Sequence, residues 1–238
     1  LATVRRLDGP SPTELRQDLL LRAFDGSFRL PQRLRLGDEG AESAVATLVD
    51  VDADGDLDVQ IWQHRGSISG FLINGGLRDD GTVELAQQAQ DLGMNRELHA
   101  MGADAVDLNG DGRPDFCVTD AGSPVCYLSL DDGWVEAGVG MGLVPEQAPP
   151  ELPTIGWSLS FADLDNDGRT EVLQASGIAY GEGEPLPDRL WTRTADGDFV
   201  DVSSRWGMDS ELDHTGLAVA DLDGDGTLDV VLGGPGRR

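Results

Sequence analysis

The chain has no lysine: all 17 of its basic residues are arginine, set against 44 acidic ones. The missing lysine reflects composition rather than mechanism. The formal net charge of −27 does exclude a class of partners, because nucleic acid and anionic membrane surfaces repel such a surface. Histidine is scarce as well. His64, His99 and His214 lie far apart, with no spacing that suits a zinc site or a nucleophile relay, and no serine stands in a G-x-S-x-G elbow. His214 precedes an expected strand, where a capping role competes with a ligand role. No run approaches the ~20 apolar residues of a membrane span, so direct membrane insertion is not expected. No export leader is recognisable ahead of Leu1, so any such signal would have been removed. Aromatics make up only 5% of the chain while glycine numbers 32, a balance that favours an all-β fold with many turns. The length of 238 residues suits one large domain.

What the chain has instead is one acidic loop, four times over: Asp50 to Asp58, Asp107 to Asp115, Asp163 to Glu171 and Asp221 to Asp229. All four fit D-x-[DN]-x-D-G-x-x-[DE], and their starts fall 57, 56 and 58 residues apart. A fixed period of that size is the mark of an array of like β units. Carboxylates crowded into nine residues repel by several kcal/mol per pair at the effective dielectric of a protein surface, so a cation is expected among them. The expected side-chain ligands at positions 1, 3 and 5 are Asp50, Asp52, Asp54; Asp107, Asn109, Asp111; Asp163, Asp165, Asp167; and Asp221, Asp223, Asp225. Glycine at position 6 permits the tight turn. The carbonyls of Asp56, Arg113, Arg169 and Thr227 at position 7, with carboxylates at position 9, complete the roughly 6 to 8 oxygens that calcium accepts. Magnesium, which demands a near-ideal octahedron, suits the loops less well. About four Ca²⁺ ions are expected; the alternative is four solvated acidic turns.

An EF-hand begins the same way but needs a bidentate Glu at position 12, between two helices. Position 12 here is Ile61, Val118, Gln174 and Leu232, inside strand-like runs such as Val59-Gln-Ile-Trp and Val230-Val-Leu. The bidentate ligand is therefore expected at position 9, namely Asp58, Asp115, Glu171 and Asp229, and each loop is expected to join two β-strands.

With these loops placed, the chain resembles the FG-GAP/VCBS repeat family, the calcium-loop propeller repeats of integrin α-subunit heads and many bacterial surface proteins. Trp157-Ser-Leu-Ser-Phe-Ala-Asp163-Leu-Asp-Asn-Asp-Gly looks most like the bacterial branch related to cartilage acidic protein. The resemblance covers nearly all of residues 18 to 234. It implies a β-propeller of four-stranded blades, with calcium held in the loop between a blade's first two strands. Asn109 at position 3 and Glu171 at position 9 depart from the pattern while still offering oxygen.

A second marker repeats out of phase with the loops: Asp25-Gly26, Asp80-Gly81, Asp132-Gly133 and Asp196-Gly197 read as turns of outer hairpins. Inner strands are expected at Ser43 to Val49, Met101 to Val106, Ser158 to Ala162 and Gly216 to Ala220, and outer strands at Gly70 to Ile73 and Leu190 to Thr192. The chain opens on an outer pair, at about 18 to 36, and closes on an inner pair, at about 215 to 233. Either four blades close by joining the two ends, or the chain is part of a larger propeller. Residues 18–238 are read as the propeller. Residues 1–17 are read as an Arg-rich linker or arm, either folded back on the acidic body or docking an acidic partner. Pro145 to Pro153 reads as an exposed excursion.

Cys117 and Cys126 bracket a turn-rich segment where a cross-strand disulfide is natural, with two buried thiols as the alternative. A disulfide and calcium loops together point to an extracellular, cell-surface or periplasmic setting. The expected function is a non-catalytic, calcium-stabilised module for protein binding, adhesion or assembly, the last as one subunit of a larger surface assembly. Alternatives are a lectin-like module, with Trp62, Trp157, Trp191 or Trp206 stacking on sugar rings, and an accessory domain of a secreted hydrolase.

Overall fold

The computed structural model describes residues 2–5, 16–22, 25–28, 32–34, 42–64, 67–120, 123–143, 154–178, 187–210 and 212–235. Two compact units, Leu1–Leu98 and His99–Arg238, divide the span read from sequence as one domain. The strands are antiparallel throughout, and the single helix among the described residues is one turn long.

In the first unit, β1 (Ala2–Arg5), β2 (Arg16–Leu19) and β3 (Gln32–Leu34) form a three-stranded sheet. The segment read as a linker or arm thus includes β1 and the start of β2; the rest of it lies outside the described residues. A four-stranded sheet follows: β4 (Glu42–Val49) and β5 (Asp58–His64), then, after the short β6 (Ser67–Ile68), β7 (Gly70–Leu77) and β8 (Val83–Gln87), in the order β4-β5-β7-β8. Strand β6 pairs with β9 (Glu97–Leu98). Every residue of β5 is buried, as a strand covered on both faces requires. Leu19 and Leu34 pack against Val59, Ile61, Leu72 and Val83. The Gln32 side chain fastens the two sheets by donating to the Val83 carbonyl and accepting the Val83 N–H, both at 2.7 Å.

The second unit holds two further four-stranded sheets and a pair. β10 (Ala103–Val106), β11 (Asp115–Val118), β12 (Val125–Leu130) and β13 (Gly133–Glu136) pair in chain order. So do β14 (Thr154–Ala162), β15 (Glu171–Ile178), β16 (Arg189–Arg193) and β17 (Phe199–Asp201). The helical turn α1 (Ser203–Trp206) precedes the pair β18 (Gly216–Ala220) and β19 (Asp229–Gly233). The first two sheets meet over Leu108, Cys117, Cys126, Leu143, Leu159, Val172, Trp191 and Phe199. Leu173, Leu190, Val202 and Met208 bury the other side of the second sheet against Leu217, Val219, Val230 and Leu232. At about 25 cal/mol per Å² of apolar surface, such inter-sheet cores supply most of the stabilisation.

The expected inner strands are present, with β10 starting two residues late and β14 starting four residues early, across a bulge between Gly156 and Ser158. Three of the four Asp-Gly turns are present as expected, with positive φ at Gly26, Gly81 and Gly197; the fourth falls one residue earlier, at Asp131-Asp132, and Gly133 opens β13 opposite Leu130. The Asp25 turn repeats the Asp196 turn in detail. Arg22 bridges to Phe28 and donates from Nε to the Gly26 carbonyl at 3.4 Å, as Arg193 pairs with Phe199 and donates to the Gly197 carbonyl at 3.5 Å. The proline-rich stretch expected as an excursion, Pro145 to Pro153, lies outside the described residues. The helical turn was not expected from sequence; it forms where Asp201 accepts the Ser203 N–H at 2.9 Å and Gly207 closes the turn at φ 74°.

Candidate metal centre

Each acidic loop connects the first two strands of a sheet, and its carboxylates fold the backbone around themselves. In loops 1 and 3 the position 1 carboxylate accepts the N–H groups of positions 5 and 6: Asp50 from Asp54 and Gly55 at 3.2 and 3.0 Å, Asp163 from Asp167 and Gly168 at 3.0 and 2.9 Å; in loop 4 Asp221 accepts those of Gly224 and Gly226. Position 3 accepts the position 5 N–H, and position 5 accepts the position 7 N–H, the latter at 2.8 to 2.9 Å in all four loops. These nested Asx turns point the carboxylates inward.

Two residues per loop are left-handed. At position 6 these are Gly55, Gly112, Gly168 and Gly226, as the sequence pattern requires. At position 4, which the sequence pattern left free, they are Ala53 (φ 60°), Gly110, Asn166 (φ 58°) and Gly224. The signal was there to read: three of those four residue types tolerate positive φ, and Ala53 alone is strained by it.

The ninth position does more than close the loop. Asp58 accepts the Val51 N–H and the Asn74 N–H, both at 2.8 Å. Asp115 accepts the Leu108 N–H at 2.8 Å and the Ser129 N–H at 2.7 Å; Glu171 accepts the Leu164 N–H at 2.7 Å and the Thr192 hydroxyl at 3.0 Å. These three carboxylates are fully buried, and that burial holds each of them above its ordinary pKa, against the pull of the N–H donors. Asp229 accepts the Leu222 N–H at 2.9 Å, is only half-buried, and stands in a two-stranded sheet.

Carboxylate oxygens of Asp50, Asp52 and Asp58 lie within 4.8 Å of one another, as do those of Asp163, Asp165 and Glu171, and those of Asp221, Asp223 and Asp225. Each trio is a set of hard oxygen donors that could hold a metal ion, and calcium chemistry fits it. Asp54, Asp56, Asp167 and Asp229 lie outside the trios. Position 7 diverges in its side chains. Arg113 bonds Asp111 and Asp131, Arg169 bonds Asp167 and the Arg193 carbonyl, and Thr227 donates to Asp225 at 2.6 Å. Among the described residues the acids Asp107, Asp111 and Asp115 form no such trio, and Asn109 holds the third position with an amide in place of a carboxylate.

Cys117 and Cys126 are disulfide-bonded and sit opposite one another on β11 and β12, inside the inter-sheet core. Trp62 and Trp191 are also core residues, which removes them as sugar-stacking platforms; Trp157 is half-buried and Trp206 exposed. Among the histidines, His214 has a partner that the sequence did not disclose. Its Nδ1 lies 2.5 Å from the buried Asp188, 26 residues away, whose other oxygen accepts the Ser176 N–H at 2.9 Å. This pair ties the approach to β18 onto β15. No helix among the described residues is long and apolar enough to cross a membrane.

Residues 50–118, 107–173 and 178–232 each match the FG-GAP-like repeat; the first two windows run from one loop to just past the next, and the third ends just past the fourth loop. Cartilage acidic protein 1 of Xenopus tropicalis is 24% identical over 208 residues, which is 79% of this chain and 31% of that protein. The chain therefore spans about a third of that relative's length. The three repeat matches together cover most of the sequence and coincide with the loop-bearing sheets: this chain belongs to the FG-GAP-like repeat family.

Proposed function

We propose that the chain is a non-catalytic, calcium-stabilised β-propeller segment that serves as a binding or assembly module outside the cytoplasm. The observation that carries this reading is the convergence of three carboxylates, in the same loop, at Asp50/Asp52/Asp58, Asp163/Asp165/Glu171 and Asp221/Asp223/Asp225. Each trio concentrates negative charge that a divalent cation relieves, and each sits between the first two strands of a sheet. Bound calcium would hold those strands in register. At a Kd near 0.1 mM and ~1 mM calcium, each site adds about 1.4 kcal/mol. The buried disulfide supports an oxidising compartment, where calcium is at that level.

In this architecture each four-stranded sheet is a blade and β18–β19 is the inner half of another. The outer half comes either from the Asp25-Gly26 hairpin or from a further repeat of a larger propeller. The partner is a protein or a glycan rather than a polyanion, given the net charge of −27. Isothermal titration of the chelated chain tests the metal reading. Calcium heats saturating near 0.1 mM, with magnesium binding markedly weaker, are expected; an absence of calcium heat overturns the reading.

A further inference from the structure

Loop 2 carries the same spacing as the other three loops but a different charge arrangement. Its third position is Asn109, where the others have Asp52, Asp165 and Asp223. The Asn109 Oδ1 accepts the Asp111 N–H at 2.9 Å, which orients the amide, and its Nδ2 donates to Asp111 Oδ2 at 3.1 Å. A donor thus stands where a charged ligand stands elsewhere. The Arg113 guanidinium reaches the same Asp111 Oδ2 at 2.9 Å and, through its other nitrogen, Asp131 Oδ1 at 2.8 Å. Asp107 accepts three N–H groups, from Gly110, Asp111 and Gly112, where Asp50 and Asp163 accept two each.

An arginine at position 7 is not sufficient by itself. Arg169 bonds Asp167 in loop 3, yet Asp163, Asp165 and Glu171 still converge there, because Asp165 is an acid and Arg169 Nε turns aside to the Arg193 carbonyl at 3.0 Å. In loop 2 the amide and the guanidinium act on one carboxylate together. The oxygens of Asp111 point at internal donors, the third position adds an amide and no carboxylate, and the remaining acids Asp107, Asp111 and Asp115 form no trio among the described residues.

We propose that loop 2 holds no metal ion and that the Arg113 guanidinium, bridging Asp111 and Asp131, is its resident cation. This rests on the calcium reading of the other three loops. The same sheet carries the Cys117–Cys126 disulfide, so the stretch from Ala103 to Glu136 is closed by a covalent bond, with the solvent-exposed Arg113–Asp131 ion pair beside it. It is therefore the calcium-independent sheet of the chain, and sensitivity to calcium is confined to the sheets of loops 1, 3 and 4.

Two measurements on the whole chain test this. Calorimetric titration should find about three calcium ions for the wild type and about one more for N109D/R113T, which copies the acid and threonine of loop 4. Hydrogen exchange of the wild type, with and without chelator, should leave the amides of 107–115 within about twofold while those of 50–58 and 221–229 lose about tenfold or more of their protection. Four ions on the wild type, or 107–115 opening together with the other loops, overturns the assignment to Arg113 while leaving the calcium reading intact. No calcium bound anywhere defeats both, because the contrast between loops then vanishes. If the double variant does not fold, the exchange measurement on the wild type still decides.

Discussion

Asp58 and Asn74 meet across the first loop-bearing sheet: the Asn74 N–H on β7 donates at 2.8 Å to the carboxylate that ends the acidic loop. The other oxygen of Asp58 accepts the Val51 N–H, so one buried side chain joins the loop's start to the third strand. Glu171 reaches Leu164 and Thr192 in the same way, and Asp115 reaches Leu108 and Ser129. The ninth position is thus a structural clasp as well as a candidate ligand.

Replacing that clasp by an amide sets an N–H donor against an N–H donor. D58N and D115N are expected to lose about 2 kcal/mol in urea unfolding with chelator present, so that no metal contributes. D229N should lose under about 1 kcal/mol, because Asp229 is half-buried and accepts from its own loop. Equal losses at all three positions would contradict the clasp.

Ala53 occupies a left-handed position that glycine or asparagine fills in the other loops. Ala53→Gly should stabilise the chelated chain by about 1 kcal/mol, because a Cβ at φ 60° costs more than glycine's added chain entropy. The reverse change, Gly224→Ala, should destabilise by about the same amount. Urea midpoints at constant slope would show both.

The disulfide closes a short loop inside a packed core, its cysteines nine positions apart. C117A/C126A should cost about 2 to 3 kcal/mol from loop entropy, plus a cavity contribution between β11 and β15. Urea unfolding of the double variant measures it, and a loss below 1 kcal/mol would show that the bond contributes little.

Without metal, stability should fall as pH rises. Burial holds Asp58, Asp104, Asp115 and Glu171 above their ordinary values. Asp25, Asp80, Asp111, Asp201 and Asp225 are held below the ordinary value and act with the opposite sign toward acid pH, so the folded chain binds more protons than the unfolded chain above the ordinary carboxylate range near 4, up through the raised values. With excess calcium the sign reverses, because protons then compete with the metal for the same oxygens. Thermal melts between pH 4 and 7, with and without calcium, should converge at the acid end and diverge as pH rises; parallel profiles would contradict the assignment.

Much of this was legible in the sequence because the loop is local. Positions 1, 3 and 5 bond backbone N–H groups of their own loop, so spacing alone located the strand pairs on either side, and the Asp-Gly turns located the outer hairpins. What stayed hidden depends on residues far apart in sequence. Asp188 and His214 are 26 positions apart with no pattern linking them, and the burial of Trp62 and Trp191 follows from sheet packing rather than from their own neighbours. Loop 2 lies between these cases. Asn109 was visible as a departure, but the reach of Arg113 to Asp131 required the turn between β12 and β13 to be in place.

The most direct test of the central claim is the unfolding free energy measured against free calcium. Above the dissociation constant, each coupled site should add about 1.4 kcal/mol per tenfold rise in calcium, and three sites about 4 kcal/mol. A curve that stays flat from chelator to millimolar calcium would contradict a metal-clamped fold and leave the four loops as acidic turns held by their own hydrogen bonds.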